Sequence, residues 1–156
     1  MVNSGRIMGE NLKFALKTMS KKDLYHNLVR RALEKDGWKI THDPLVIPAG
    51  KRKIKVDLGA EPLIAAEKDN EKIAVEVKSF LNLSLLYDFY EALGQFKFYW
   101  FALRKFEPDR KLFLAVSVDI YAEFFDDPFI SELSESEHLK ILVFDIEIEA
   151  ITQRIK

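Results

Sequence analysis

Residues 73–79 read Ile-Ala-Val-Glu-Val-Lys-Ser, an apolar strand that nevertheless carries Glu76 and Lys78. Alternation puts Ile73, Val75 and Val77 on one face of such a strand and Ala74, Glu76 and Lys78 on the other. A carboxylate and an ammonium two residues apart then point the same way from a run apolar enough for the middle of a sheet. Burying the pair costs free energy unless each charge has a partner. Two readings are open: a cleft in which the pair does chemistry, or an edge strand on which it faces solvent. Asp57 stands nineteen residues before Glu76 and closes another strand-like run, residues 53–58, just ahead of Gly59.

Asp57, Glu76 and Lys78 together form a chemically meaningful set. Two carboxylates at the ends of neighbouring strands can share a hard divalent cation, which polarises a phosphate and lowers the pKa of a bound water. A lysine beside them offers a point charge to the attacking water or to the charge developing on phosphorus. The layout resembles that of the PD-(D/E)xK nuclease superfamily, with Asp57 and Glu76 as metal ligands. The bland reading of Glu-x-Lys by itself is a solvated cross-strand pair.

With 156 residues, 48% of them hydrophobic, the chain can bury the core of one domain. We divide it into an N-terminal extension, residues 1–20, and a single domain, residues 21–156. No run approaches the roughly 20 apolar residues of a membrane span, and the first residues lack the apolar stretch of a signal peptide. The expectation is a soluble, cytoplasmic protein. There are no cysteines and only three histidines, so a metal would be held by carboxylate or imidazole, and oxygen ligands point to Mg²⁺ or Mn²⁺. The net charge of −1 is divided. Residues 1–118 hold 21 Lys and Arg against 15 Asp and Glu, while residues 119–156 hold 3 against 10. Lys51, Arg52, Lys53 and Lys55 could meet phosphates or form a solvated edge, and the acidic C-terminal part could face a basic protein.

Leu12, Ala15, Leu16 and Met19 fall at helical spacing and allow a short surface helix in the extension. Ser20 is an N-cap for a helix over residues 23–35, with Leu24, Leu28, Val29, Ala32 and Leu33 on its apolar stripe and Asp36-Gly37 at its end. His26, at the edge of that stripe, is either a half-buried packing residue or lines the site. Residues 38–41, 51–58 and 62–68 read as strands. Asp69-Asn70 then turns the chain into the Glu-x-Lys strand, which sets Lys68 opposite Glu71, Glu67 opposite Lys72 and Leu63 opposite Glu76. Glu67 is thereby about 13 Å from Glu76, too far to share an ion; Glu61, opposite Lys78, stays open as a ligand. A long helix over residues 84–105 is aromatic nearly all round, which implies contact on more than one side. It carries Gln95 and Tyr99 one turn apart, either a core contact or, as in the exonuclease branch of the superfamily, neighbours of the metal site. Residues 111–118 and 140–146 are strands around a helical stretch, residues 120–137, interrupted at Pro128, and residues 147–155 add an edge strand. The expected fold is α/β, a mixed sheet flanked by helices.

Six stretches carry a closer resemblance: Tyr-His-Asn-Leu-Val at 25–29, Lys-Asp-Gly-Trp-Lys-Ile-Thr-His-Asp-Pro at 35–44, Val-Asp-Leu-Gly-Ala-Glu at 56–61, Ile-Ala-Val-Glu-Val-Lys-Ser-Phe at 73–80, Ala-Leu-Gly-Gln-Phe at 92–96 and Glu-Pro-Asp-Arg at 107–110. They resemble the XisH family, over nearly everything after residue 20. XisH-like proteins control excision of the fdxN element in cyanobacteria, beside a site-specific recombinase and a second small protein, XisI. The resemblance implies a restriction-endonuclease-like fold with Asp57, Glu76 and Lys78 as site positions; Gln95, Tyr99 and His26 stand beside them as further candidates. It also implies DNA, an XisI-like protein and a recombinase as partners, and leaves room for a homodimer. Two function classes follow: a metal-dependent deoxyribonuclease or its DNA-binding descendant, and a non-catalytic regulator of a recombinase.

Overall fold

Asp69 and Asn70 adopt positive φ angles of 49° and 65°, the backbone of a two-residue hairpin whose twist matches that of its strands. The computed structural model describes residues 20–54 and 63–156. The hairpin joins β4 (Leu63–Lys68) to β5 (Glu71–Val77), with Lys68 opposite Glu71, Glu67 opposite Lys72 and Leu63 opposite Glu76. This is the register expected from the sequence. It follows from the turn, because a slip of one residue would send every apolar side chain to the wrong face.

Ser20 accepts from the Asp23 amide and caps α1 (Lys21–Lys35). At the other end Gly37, with φ of 92°, donates to the Glu34 carbonyl while Trp38 donates back to Leu33; a Cβ at Gly37 would also press on the Lys68 side chain at 3.3 Å. β1 (Lys39–His42) pairs antiparallel with β4. A separate hairpin joins β2 (Ile47–Ala49) to β3 (Arg52–Ile54); Pro48 hid β2 from the sequence reading. After β5 come α2 (Leu85–Phe106) and β6 (Arg110–Ser117), then a helical turn, Val118–Ile120, and a π-helical turn, Tyr121–Phe125. α3 (Pro128–Ser136), β7 (Ile141–Asp145) and β8 (Ala150–Ile155) complete the chain.

The six strands of the main sheet lie in the order β1-β4-β5-β6-β7-β8. β5, β6 and β7 run parallel, and β1, β4 and β8 are antiparallel to their neighbours. The fold is therefore the expected α/β arrangement of a mixed sheet flanked by helices. Both parallel connections step the same way along the sheet, and crossovers of one hand that do so must lie on the same face. Accordingly α2 and the 118–136 segment cover one face: Ala74, Leu112, Leu114 and Ile141 pack there against Phe89, Phe96, Leu103, Phe125 and Ile130. α1 covers the other, its Leu28, Val29 and Leu33 packing on Ile64, Val75, Val77, Phe113 and Phe144. No helix among the described residues is long and apolar enough to cross a membrane.

The far end of the sheet is tied by charge. Glu71 of β5 accepts from Arg154 of β8 and from Lys111 of β6, the latter at 3.4 Å. The Arg154 guanidinium lies 4.9 Å from the Phe113 ring centre. The Arg154 hydrogen bond, helped by Lys111, holds the Glu71 carboxyl below its ordinary 4.5 against the effect of burial. A depressed folded-state pKa contributes stability that is present above the unfolded value and lost as pH falls through the folded one. We expect Glu71→Gln to lower stability at pH 7 by about 1 kcal/mol, and the difference from wild type to shrink at an acidic pH, as the lowered Glu71 carboxyl becomes protonated. Urea unfolding at the two pH values measures it, and a deficit unchanged at low pH would refute the assignment.

Candidate functional site

β5 has β4 on one side and β6 on the other, so Glu76 and Lys78 lie in the middle of the sheet. The edge-strand reading is excluded. Ile73, Val75 and Val77 face α1 and Ala74 faces α2, which places Glu76 and Lys78 on the α2 side. Glu76 is 1% exposed and Lys78 5%. In register, Glu76 is flanked by Leu63 and by Leu114, an apolar surround for a carboxylate.

Lys78 extends the strand by one bond, its amide donating to the Ala115 carbonyl at 3.0 Å. Its Nζ donates to Glu91 Oε1 of α2 at 3.3 Å. The loop between them is short and pinned. Asn82 donates from its amide and from Nδ2 to the two carboxylate oxygens of buried Asp88, at 3.0 and 2.6 Å. Ser84 caps α2 by accepting from the Tyr87 amide, and Phe80 anchors the turn among Phe89, Phe124 and Phe125. The helix therefore starts close to the end of β5, and its successive turns pass over the sheet.

Asp88, Glu91, Gln95 and Tyr99 follow at steps of three and four, so they share one side of α2. Gln95 Oε1 is buried and has no hydrogen-bond partner among the described residues. Tyr99 is buried in the apolar cluster under α2, with Phe96, Ala102 and Leu103. The structure thus brings Lys78 to Glu91 and sets Gln95 on the next turn. Glu91 and Asp88 escaped the sequence reading. Glu91 was recoverable from its i,i+4 relation to Gln95.

Asp57, the other expected metal ligand, lies outside the described residues, as does Glu61. Leu63, the first described residue after that gap, is the residue opposite Glu76. His26 sits on α1, whose apolar side packs on the other face of the sheet. Its Nε2 is 2.8 and 3.0 Å from the Asp43 carboxylate oxygens, and Arg30 donates to the same carboxylate at 2.7 Å, a hydrogen bond that raises the Arg30 pKa. Among the described residues no three acidic or histidine side chains converge as a metal set. The buried carboxylate of β5, Glu76, is an oxygen donor of the kind a hard cation takes.

A buried acid and base on a central strand, over which a helix lays a polar stripe, mark an α/β protein with a polar site inside its core. Comparison with known proteins makes this more specific. The family model described as XisH protein matches residues 19–152, and the chain belongs to the XisH family. A fdxN element excision controlling factor protein from Anabaena variabilis is similar in structure, with a TM-score of 0.78 and 49% identity over 86% of this chain and 99% of that one. An XisH family protein from Nostoc punctiforme PCC 73102 gives 0.78 and 47% over 85% and 99%. No curated protein matches.

An unsatisfied buried acceptor costs about 1–3 kcal/mol, so Gln95→Met, which keeps the volume and removes the amide, should stabilise the protein. For a chain of this size we expect a rise in Tm of about 2–6 °C. Calorimetry on the two proteins measures it; a fall would mean that the Gln95 amide is satisfied and structural.

Proposed function

We propose that this protein controls excision of a DNA element and meets DNA through a metal site formed by Asp57 and Glu76, with Lys78 beside it, in a restriction-endonuclease-like fold. One observation carries the reading: Glu76 and Lys78 are both buried, on one face of an otherwise apolar central strand. Buried charges of that kind are expensive to keep, and where they persist in a cleft they mark function more often than stability. The Anabaena variabilis relative, described as an excision controlling factor, supplies the process. Mg²⁺ or Mn²⁺ between the two carboxylates would neutralise phosphate charge and make a bound water more acidic.

The chain's own residues have separate tasks in this reading. Glu76 and Asp57 supply oxygen ligands. Lys78 presents its ammonium to the scissile phosphate, oriented by Glu91. Gln95, with a free acceptor oxygen and an amide donor, positions a water or a phosphate oxygen, and Tyr99 packs behind it. His26, paired with Asp43 on the α1 side, has no part in this arrangement. The basic residues Lys51, Arg52, Lys53 and Lys55 would supply sequence-independent attraction to the backbone of DNA. A recombinase and an XisI-like protein would be the partners in the excision reaction.

The test is Mn²⁺ binding followed by DNA cleavage. Calorimetric titration should show one Mn²⁺ site, lost in Asp57→Ala and in Glu76→Ala. With Mg²⁺, cleavage of duplex DNA should fall at least about 100-fold in Glu76→Gln and in Lys78→Met, changes that keep the side-chain volume, while the far-UV circular dichroism of both variants stays that of wild type. Wild type that neither binds Mn²⁺ nor cleaves DNA, yet co-purifies with an XisI-like protein, would replace this reading with that of a non-catalytic regulator.

A further inference from the structure

The outward side of α2 is apolar. Tyr87 and Tyr90 are each 61% exposed, Phe98 56% and Phe101 68%, and Leu83, just before the helix, is fully exposed. Helix geometry puts the four aromatic residues within about 40° of the direction of Gly94, so they form one stripe with Gly94 at its centre. A protein surface seldom leaves such a run of rings in water unless something covers it.

The spacing says what covers it. Tyr90 and Phe98 stand four residues before and after Gly94, Tyr87 and Phe101 seven before and after, and Leu83 and Lys105 eleven before and after. The stripe is symmetric about the glycine. Two copies crossing antiparallel at Gly94 would therefore set Tyr90 against Phe98 of the other copy, Tyr87 against Phe101, and Leu83 against the aliphatic stem of Lys105. Self-complementarity of this kind is what a two-fold, isologous contact requires, whereas an unrelated partner would place no such condition on the sequence.

Gly94 itself agrees. Within a helix glycine is less stable than alanine by about 1 kcal/mol, and a Cβ at this position would meet nothing within 4 Å. Nothing inside one copy calls for a glycine there. At the crossing of two helices it lets the axes approach to about 8 Å, the short end of helix packing distances. The area is sufficient as well. At the exposures above, four rings leave roughly 500 Å² per copy, so a pair buries about 1,000 Å², the size at which specific contacts separate from incidental ones.

We propose that the outward face of α2 is a homodimer interface, two copies of this chain crossing at Gly94. The proposal does not rest on the metal-site reading: the ring stripe is centred on Gly94, about 100° around the helix from Gln95. Sedimentation equilibrium of the full-length protein in the micromolar range should give twice the 18.1 kDa chain mass. Tyr87→Glu and Phe101→Lys, each acting twice in a symmetric contact, should weaken association at least about 30-fold. Both positions are exposed, so the far-UV circular dichroism of each variant should match wild type. The register makes a sharper demand: a mixture of Tyr87→Glu and Phe101→Lys should form a heterodimer tighter than either homodimer. Such a heterodimer sets the introduced carboxylate of one variant against the introduced ammonium of the other and keeps the remaining Tyr87–Phe101 contact. Wild-type protein that sediments as a monomer throughout would overturn the proposal. So would a dimer untouched by the two substitutions, or a mixture that associates no better than its components.

Discussion

The structure turns on holding a carboxylate and an ammonium inside the sheet. Moving either ion out of water costs several kcal/mol after relaxation, and in register Glu76 is flanked by Leu63 and Leu114. For Lys78 compensation comes from above the sheet, where Glu91 of α2 accepts from its Nζ. This explains why the connection from β5 is short, why Asn82 clamps Asp88 so tightly, and why α2 turns Glu91 and Gln95 toward the strand. An ordinary crossover helix would lay leucine on a parallel strand. This one lays a carboxylate on Lys78 and fills the rest of its inner side with Phe89, Ala92, Phe96 and Leu103.

The legible parts of the fold were those decided within a few residues of one another. The β4–β5 hairpin was readable to the residue because Asp69-Asn70 admits one turn and one register. The capped start of α1 was readable because Ser20 is followed three residues on by the amide it accepts from; the Ser84 cap of α2 emerged only in the structure. The sheet position of β5 was not. Alternation alone is the same for a central strand with a polar cleft and for an edge strand in water, and only the pairing of β5 with β6 across a 22-residue helix distinguishes them. The 120–137 region was read as one helix broken at Pro128, but Asp127 accepts from the Phe129 and Ile130 amides and starts a new helix. Before it, a π turn brings Phe124 and Phe125 together onto Phe80 and Phe89, a long-range demand invisible in local spacing. β8 starts three residues later than expected because Asp145 caps the turn at Glu147 and Ile148.

The site was legible in proportion to how far its residues depart from their surroundings. Glu76 and Lys78 stood out because the strand around them is apolar. Glu91 did not, because a glutamate on a helix of mixed composition is ordinarily a solvated residue, and nothing short of the β5–α2 contact shows that it faces inward. Gln95 and Tyr99 were singled out by pattern. The structure separates them, Gln95 with a buried acceptor oxygen on the polar stripe and Tyr99 within the apolar cluster.

α2 thus carries two kinds of constraint on different sides, and this accounts for a composition that is otherwise odd. A helix with one buried side needs polar residues on its outside for solubility. Here a polar stripe of Asp88, Glu91 and Gln95 runs along the flank of an apolar inner side, and the outside carries rings. The polar stripe follows from Lys78, and the outer rings, symmetric about Gly94, follow from a second copy of the chain. α2 is tied to the end of β5 by the Lys78–Glu91 pair, its start is clamped to the connecting loop by Asn82 on Asp88, and it packs along the sheet to Leu103. A dimer built on its outer side would hold the two copies' Glu76 and Lys78 on either side of a pair of helices, at a separation set by helix packing rather than by a flexible linker. In the proposed reading, a fixed spacing of two such sites suits a two-fold assembly on duplex DNA better than a lone site on a free end.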